Sequence, residues 1–233
     1  MNARSIKGRA GTPGVAAAAL SIAAALGLWA CYPGRPSFSP PPPQITSIEG
    51  YASLRLTRSE TTAKSRFSFL FLVPDVGRIE VSDPLGRTIS LLVLQKEEAF
   101  FVLPRKRLYW RSSREAVLSK LLGFTLSPAE MTEILSGKLE KMTAWDLEKD
   151  DRGRVVGGRR DEIVFKVRRF FDGSRLPQIL SLSGPGEQGL LKILRLNFNQ
   201  PLKEGVFELA FLEDPKYSAA TWDETEQWLK SDR

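Results

Sequence analysis

Histidine is absent from all 233 residues, and that absence removes more chemistry than any motif in the chain adds. Ser-His-Asp hydrolysis, Cys-His nucleophiles, His-ligated zinc and imidazole acid/base catalysis all require the ring. The single cysteine, Cys31, can close no internal disulfide and build no thiolate cluster. Gly184-Pro185-Gly186-Glu187-Gln188-Gly189 fits the spacing GxGxxG, which in dinucleotide enzymes joins a strand to a helix N-terminus. Pro185 lacks the backbone N–H such a cradle uses, and Leu190 to Phe198 alternates as a strand, so a hairpin turn is expected there. Glu97-Glu98 and Asp150-Asp151 are sequence neighbours that would point apart on a strand, with no second acidic cluster to complete a metal site. Lys166 and Arg168 flank Val167 as outward strand positions, which does not make a nucleic-acid site. The expectation is a protein that is not an enzyme, with no cofactor, no metal and no nucleic-acid partner.

Cys31 gains a different role from what precedes it. Residues 1–14 carry Arg4, Lys7 and Arg9 with no acid, and Val15 to Ala30 is almost entirely Ala, Leu, Ile and Val. The apolar run is shorter than the roughly 20 residues that span a bilayer and it closes on small residues, as a cleavable signal peptide does. Its end, Leu28-Trp29-Ala30-Cys31, resembles the bacterial lipobox. That resemblance implies cleavage after residue 30, a diacylglyceryl group on the Cys31 sulfur and acylation of the new amino terminus. A retained anchor helix and a plain secretory signal are the alternatives. Acyl burial contributes about 0.8 kcal/mol per CH₂, enough with several chains to hold a domain on a membrane. Residues 31–44, with Pro33, Pro36 and the run Pro40 to Pro43, favour polyproline II and read as a tether. Loss of three bases with residues 1–30 lowers the net charge from +7 to +4.

The remaining chain must build whatever site exists. Hydrophobic residues at 42% and charged residues at 26% give an ordinary globular balance, so a packed fold is expected. Residues 45–213 form the domain and 214–233 an extension. Ala52, Leu54 and Leu56 alternate with Ser53, Arg55 and Thr57, and Phe67, Phe69 and Phe71 alternate with Ser68 and Leu70. Period two predicts strands with one dry face. Further strands are predicted at 79–81, 88–94, 99–103, 142–147, 162–171, 179–182, 190–198 and 206–211. Their connections are too short for crossover helices, so the succession is antiparallel. Residues 151–160, rich in Gly and Arg, predict a loop. Ser112-Ser113-Arg114-Glu115 predicts a capping box before an apolar stripe ending at Gly123, and Ser127-Pro128-Ala129-Glu130 opens a second short helix ending at Gly137. Thr221-Trp222-Asp223-Glu224 opens a third.

Taken in order, Ile48-Glu49-Gly50-Tyr51-Ala52, Asp83-Pro84-Leu85-Gly86, Leu121-Leu122-Gly123 and Ile134-Leu135-Ser136-Gly137 resemble the LolB family of outer-membrane lipoprotein receptors, from about Ile45 to Gly137. The resemblance implies a mainly β fold, an unclosed antiparallel half barrel with short helices as a lid over an apolar cavity. Leu54, Leu56, Phe67, Phe69, Phe71, Ile89 and Leu91 are expected on the concave wall, with Leu118, Leu122 and Ile134 facing them from the lid. A fully packed core is the alternative that periodicity leaves open. The resemblance further implies that the turn Pro84-Leu85-Gly86 projects an exposed leucine used to release cargo into the bilayer; a plain turn with Leu85 folded back is the alternative. It implies a monomer, lipid-anchored to the outer membrane and facing the periplasm. Such a receptor accepts acylated lipoprotein cargo from a periplasmic LolA-like carrier and passes it to outer-membrane lipids. Arg105-Lys106-Arg107 and Arg159-Arg160 are candidate contacts for carrier or headgroups, or simply solvated turns. A related lipid-binding or lipid-sensing lipoprotein, or a structural envelope lipoprotein, are the alternative functions.

Overall fold

A computed structural model describes residues 36–58, 61–139 and 142–231. Cys31 and the signal segment lie outside the described residues. Strands β1 (Ser37–Phe38), β2 (Ser47–Arg58), β3 (Thr61–Leu72), β4 (Val76–Ser82), β5 (Thr88–Gln95), β6 (Glu98–Leu103) and β7 (Leu108–Ser113) lead into helices α1 (Arg114–Leu122) and α2 (Pro128–Ser136). Strands β8 (Asp146–Lys149), β9 (Val155–Arg160), β10 (Ile163–Phe170), β11 (Pro177–Gly184) and β12 (Glu187–Phe198) follow, then β13 (Ser218–Ala219) and helix α3 (Trp222–Ser231). The described residues are mostly β: one unclosed sheet of 13 strands with three short helices.

The sheet runs β13-β7-β6-β5-β4-β3-β2-β12-β11-β10-β9-β8, with β1 added beside β12. All neighbours are antiparallel except β1 on β12 and β13 on β7. Two chain halves thus meet at β2 and β12, which pair along nearly their whole length, from Glu187 opposite Arg58 to Phe198 opposite Ile48. The GxGxxG-like segment is the β11–β12 hairpin, with Gly184 opposite Glu187.

The alternation in β2 and β3 places Ala52 opposite Phe67 and Gly50 opposite Phe69 on the inner face. A Cβ on Gly50 would strike the Phe69 ring and the Arg195 carbonyl, so this glycine is what lets the ring lie against the strand. The Phe69 and Phe71 rings stack with centroids 5.6 Å apart. The main core gathers Ile48, Phe69, Phe71, Phe165, Leu180, Ile193 and Leu196 from the sheet and Ile134 and Leu135 from α2. A second cluster joins Leu92, Phe101 and Trp110 to Val117 and Leu118 of α1.

The helix starts differ from each other in detail. At α2 the box is reciprocal: Ser127 Oγ accepts from the Glu130 N–H at 3.1 Å and Glu130 Oε2 accepts from the Ser127 N–H at 2.8 Å. At α1 the cap is Ser113, whose side chain accepts from the Ala116 N–H, so the expected box with Glu115 does not form. The cap falls one residue later because β7 continues through Ser113.

Other expectations are corrected. Residues 36–44 lie against the domain rather than forming a free tether: Phe38 packs on Phe171 at 5.0 Å, and Lys138 Nζ donates to the carbonyls of Pro42 at 2.5 Å and Pro43 at 2.7 Å. Prolines supply carbonyl acceptors and no competing donors, which suits them to this cation. Residues 155–160 are strand β9, not loop. Residues 206–211 are turns and the start of a 3-10 helix, Ala210–Glu213, not a strand. That segment packs Leu209, Phe211, Leu212 and Tyr217 over Leu91, Val93 and Val102 on the outer face of β5 and β6. The C-terminal extension is therefore part of the fold. Trp222 of α3 packs at a tilt against Trp110, with centroids 4.9 Å apart, and Leu229 joins the α1 cluster.

Candidate functional site

Between the inner face and the two mid-chain helices lies a cavity of about 190 Å³. Its wall is Leu54, Phe67, Phe69, Phe71, Ile79, Leu92, Leu94, Phe101, Leu182 and Leu191, and its cover is Leu118, Leu121 and Leu122 of α1 with Phe124, Leu126, Met131 and Leu135. Ser65 and Ser90 are the hydroxyls among the lining residues. An apolar cavity of about 150 Å³ stays dry and takes a benzene-sized guest. A cavity of this volume admits a short piece of hydrocarbon.

Six of the ten residues expected at the cavity meet there: Leu54, Phe67, Phe69 and Phe71 on the wall, Leu118 and Leu122 on the cover. Four do not. Leu91 faces the opposite side of β5 and is buried beneath the C-terminal segment. Ile89 shares that outer parity and is 37% exposed. The run from Ile89 to Leu94 is apolar on both faces except at Ser90, so period two could not assign its sides. Ile134 is buried in the main core, and its helix neighbours Met131 and Leu135, one turn apart, face the cavity instead. Leu56 has the inward parity of Leu54 but lies farther out along the hairpin, beyond the lining.

The two covering helices are held by different means. On α2, Glu130 Oε1 accepts from Trp145 Nε1 at 2.9 Å and from Arg160 Nη1, while Arg160 Nη2 donates to the Thr125 carbonyl at 2.8 Å. Arg160 also lies over the Trp145 ring at 5.0 Å. On α1 the C-terminus rests on Glu187. This side chain is 8% exposed, ion-paired with Arg58, and has Oε2 buried without a hydrogen-bond partner. Arg58 Nη2 donates to the Lys120 carbonyl at 3.3 Å. Gly123 closes α1 with φ of 75°, and a Cβ there would collide with the Glu187 carboxylate. The only sequence signal for Glu187 was its place in a glycine-rich turn, which concealed its burial.

The turn joining β4 and β5 is built by Asp83. Its Oδ1 accepts from the N–H groups of Leu85 and Arg87, both at 2.9 Å, and its Oδ2 accepts from Arg87 Nε at 2.8 Å and from Arg105 Nη2. The Arg87 backbone N–H foremost, helped by the Arg87 and Arg105 side chains and the Leu85 N–H, lowers the Asp83 pKa to about 2. Gly86 takes φ of 78° and donates its N–H to the Asp83 carbonyl at 2.9 Å. The result holds Pro84 and Leu85 outward, and Leu85 is 77% exposed, the highest exposure among the large exposed hydrophobic side chains of the described residues.

Both basic clusters singled out in the sequence are partly engaged within the chain. Arg105 braces Asp83, Lys106 Nζ lies 4.5 Å from the Trp228 ring centroid, and Arg160 holds α2. Among the described residues no helix is long and apolar enough to cross a membrane.

No family model and no curated protein matches this sequence. Solved structures do match it. A DUF1329 family protein from Desulfovibrio piger aligns with a TM-score of 0.51 at 12% identity, over 73% of this chain and 92% of its own. A LolA superfamily protein from Nitrosomonas europaea gives 0.50 at 11% identity, over 74% and 94%. A candidate outer-membrane lipoprotein-sorting protein domain from Vibrio parahaemolyticus gives 0.50 at 11%, over 72% and 92%. At these identities the similarity establishes the fold, which is LolA-like.

Proposed function

We propose that this protein is a lipoprotein receptor of LolB type, anchored through acylated Cys31 to the outer membrane and facing the periplasm. It binds rather than catalyses. The observation that carries the reading is the apolar cavity between the phenylalanine wall and the α1–α2 cover. The printed names of two fold neighbours, a LolA superfamily protein and a lipoprotein-sorting domain, support a role with lipids or lipoproteins.

The physics of transfer follows from the site. Each buried CH₂ of a guest contributes about 0.8 kcal/mol, so an acyl chain moves from a carrier to whichever cavity covers more of it. Any shift of α1 must break the hydrogen bond from Arg58 Nη2 to the Lys120 carbonyl that ties its C-terminus to the sheet. Leu85, held outward by Asp83, provides an apolar tip that can enter the headgroup region and shorten the path of the departing chains through water.

The test uses residues 36–233, one compact unit that carries all the described strands and core clusters. A fluorescent acyl probe should bind saturably and be displaced by a triacylated peptide. Absence of saturable binding would remove the cavity function. Depletion in the source bacterium should strand lipoproteins at the inner membrane; normal sorting would leave lipid binding but not receptor activity.

A further inference from the structure

The outer face of the sheet is divided. Over β5 and β6 it is apolar and covered by residues 209–217. Over β3, β2, β12, β11 and β10 it is bare and cationic. The strand register sets Lys166, Ser181, Leu190, Arg55 and Lys64 in one row across five strands, and Lys192, Ser53 and Arg66 in the row beside it. Arg168 lies on the same face, its Nε donating to Ser181 Oγ at 3.0 Å. Arg55, Lys64, Arg66, Lys166, Arg168 and Lys192 are all exposed, and none forms an ion pair with a carboxylate among the described residues. Six positive charges on one face stand out in a chain whose whole net charge is +7. Arg55 stands directly opposite Lys64, an arrangement in which like charges repel and destabilise a sheet.

We infer that this cationic outer face is a docking surface for anionic phospholipid headgroups, so that the sheet itself lies on the bilayer. Three observations select a bilayer as the occupant. The cations are spread in two rows over five strands and line open depressions of the outer face rather than one enclosed pocket, which suits several separate phosphates. Between them stand Ser53, whose hydroxyl is a donor for a phosphate oxygen, and Leu190, 38% exposed, which meets the acyl boundary. The register also brings the patch to the end of the sheet that bears the Leu85 turn: Phe67 pairs with Val81, and Arg66 and Lys64 continue β3 beyond that pair in the direction in which β4 leads to the turn. Headgroup contact by the patch and entry of Leu85 are then one event. The inference rests on the protein working at a lipid surface, but not on the cavity being occupied.

The experiment is co-sedimentation of residues 36–233 with vesicles of phosphatidylcholine alone or of phosphatidylcholine with phosphatidylglycerol. Binding should require phosphatidylglycerol and fall as sodium chloride is raised. Each cation near an anionic surface accounts for about a fivefold change in partitioning, so Lys64→Gln, Arg66→Gln and Lys192→Gln together should weaken binding about a hundredfold. Acyl-probe affinity should not change. Lys149→Gln, Arg152→Gln and Lys203→Gln remove the same charge elsewhere and should leave phosphatidylglycerol binding within a few-fold. Equal binding to both vesicles, or equal loss in the two triple variants, would overturn the inference. Vesicle indifference combined with patch-dependent binding of an acidic carrier protein would replace the bilayer with a protein. If the probe fails to bind while the vesicle preference persists, the receptor reading falls and this one stands.

Discussion

Filling the cavity tests whether the space is real and whether it is used. Ser90 on β5 points into it among Leu92, Val81 and Phe101, and Phe is a better strand former than Ser. If the cavity of about 190 Å³ is empty, Ser90→Phe buries a ring there and gains about 1.5–3 kcal/mol. For a domain of this size each kcal/mol moves Tm by about 2–4 °C, so a rise of roughly 3–12 °C is expected. If the interior is solid, the same ring overpacks it and costs about 1–3 kcal/mol, lowering Tm by a comparable amount. The two outcomes differ in sign. The ring also displaces guest carbon: losing contact with about four to six CH₂ groups at ~0.8 kcal/mol each weakens binding by about 3–5 kcal/mol, or several hundred- to several thousand-fold. Differential scanning calorimetry and acyl-probe titration on one preparation read both quantities. A lowered Tm, or a raised Tm with unchanged probe affinity, would refute the reasoning.

Leu85→Glu should change unfolding free energy by less than about 0.5 kcal/mol, because the side chain is exposed. It should leave acyl binding intact and slow transfer of a lipoprotein into vesicles by about tenfold or more, since a buried Leu contributes about 1.5–3 kcal/mol. The Asp83 carboxyl titrates at about 2 in the fold against 3.8 ordinarily. A lowered folded value means the turn's stabilisation is complete above pH ~4 and is lost as pH falls toward 2. The Leu85 and Arg87 amide NMR shifts should therefore hold steady down to that window and move within it, and Asp83→Asn should show the moved shifts at neutral pH. Gly123→Ala meets both a positive φ and the Glu187 carboxylate. It should cost about 1–3 kcal/mol from the backbone alone, more with Glu187 displaced, measured by urea unfolding.

The parts of the fold that the sequence made legible are those with one wet face. Strands β2 and β3 alternate because their inner side meets the cavity and core while their outer side meets water. The rule fails at β5, where the C-terminal segment dries the outer face at Leu91 and Val93 as well, and the wall is built by Leu92 and Leu94 instead of Ile89 and Leu91. It failed again at β9, where Gly157 and Gly158 look like loop residues. Gly158 is instead the place where the Phe165 ring and Leu147 press against the strand, leaving no room for a Cβ. The alternating residues near 206–211 proved to be anchors set at the outer face by turns. Short helices were legible because caps and terminal glycines are local. Which helix face looks inward, as with Ile134 against Met131 and Leu135, depends on tertiary packing that no local pattern encodes. The cationic rows were equally hidden, since Lys64, Lys166 and Lys192 come to share one face only through the register.

The central claim is that acyl chains lodge between the phenylalanine wall and α1. Isotope-filtered NOEs between the acyl methylenes of a bound lipopeptide and the protein measure this directly. Cross-peaks to the rings of Phe67 and Phe69 and the methyls of Leu118 and Leu122 are the predicted result. Saturable binding with cross-peaks only to outer-face groups such as Leu190, and none to those four, would contradict it.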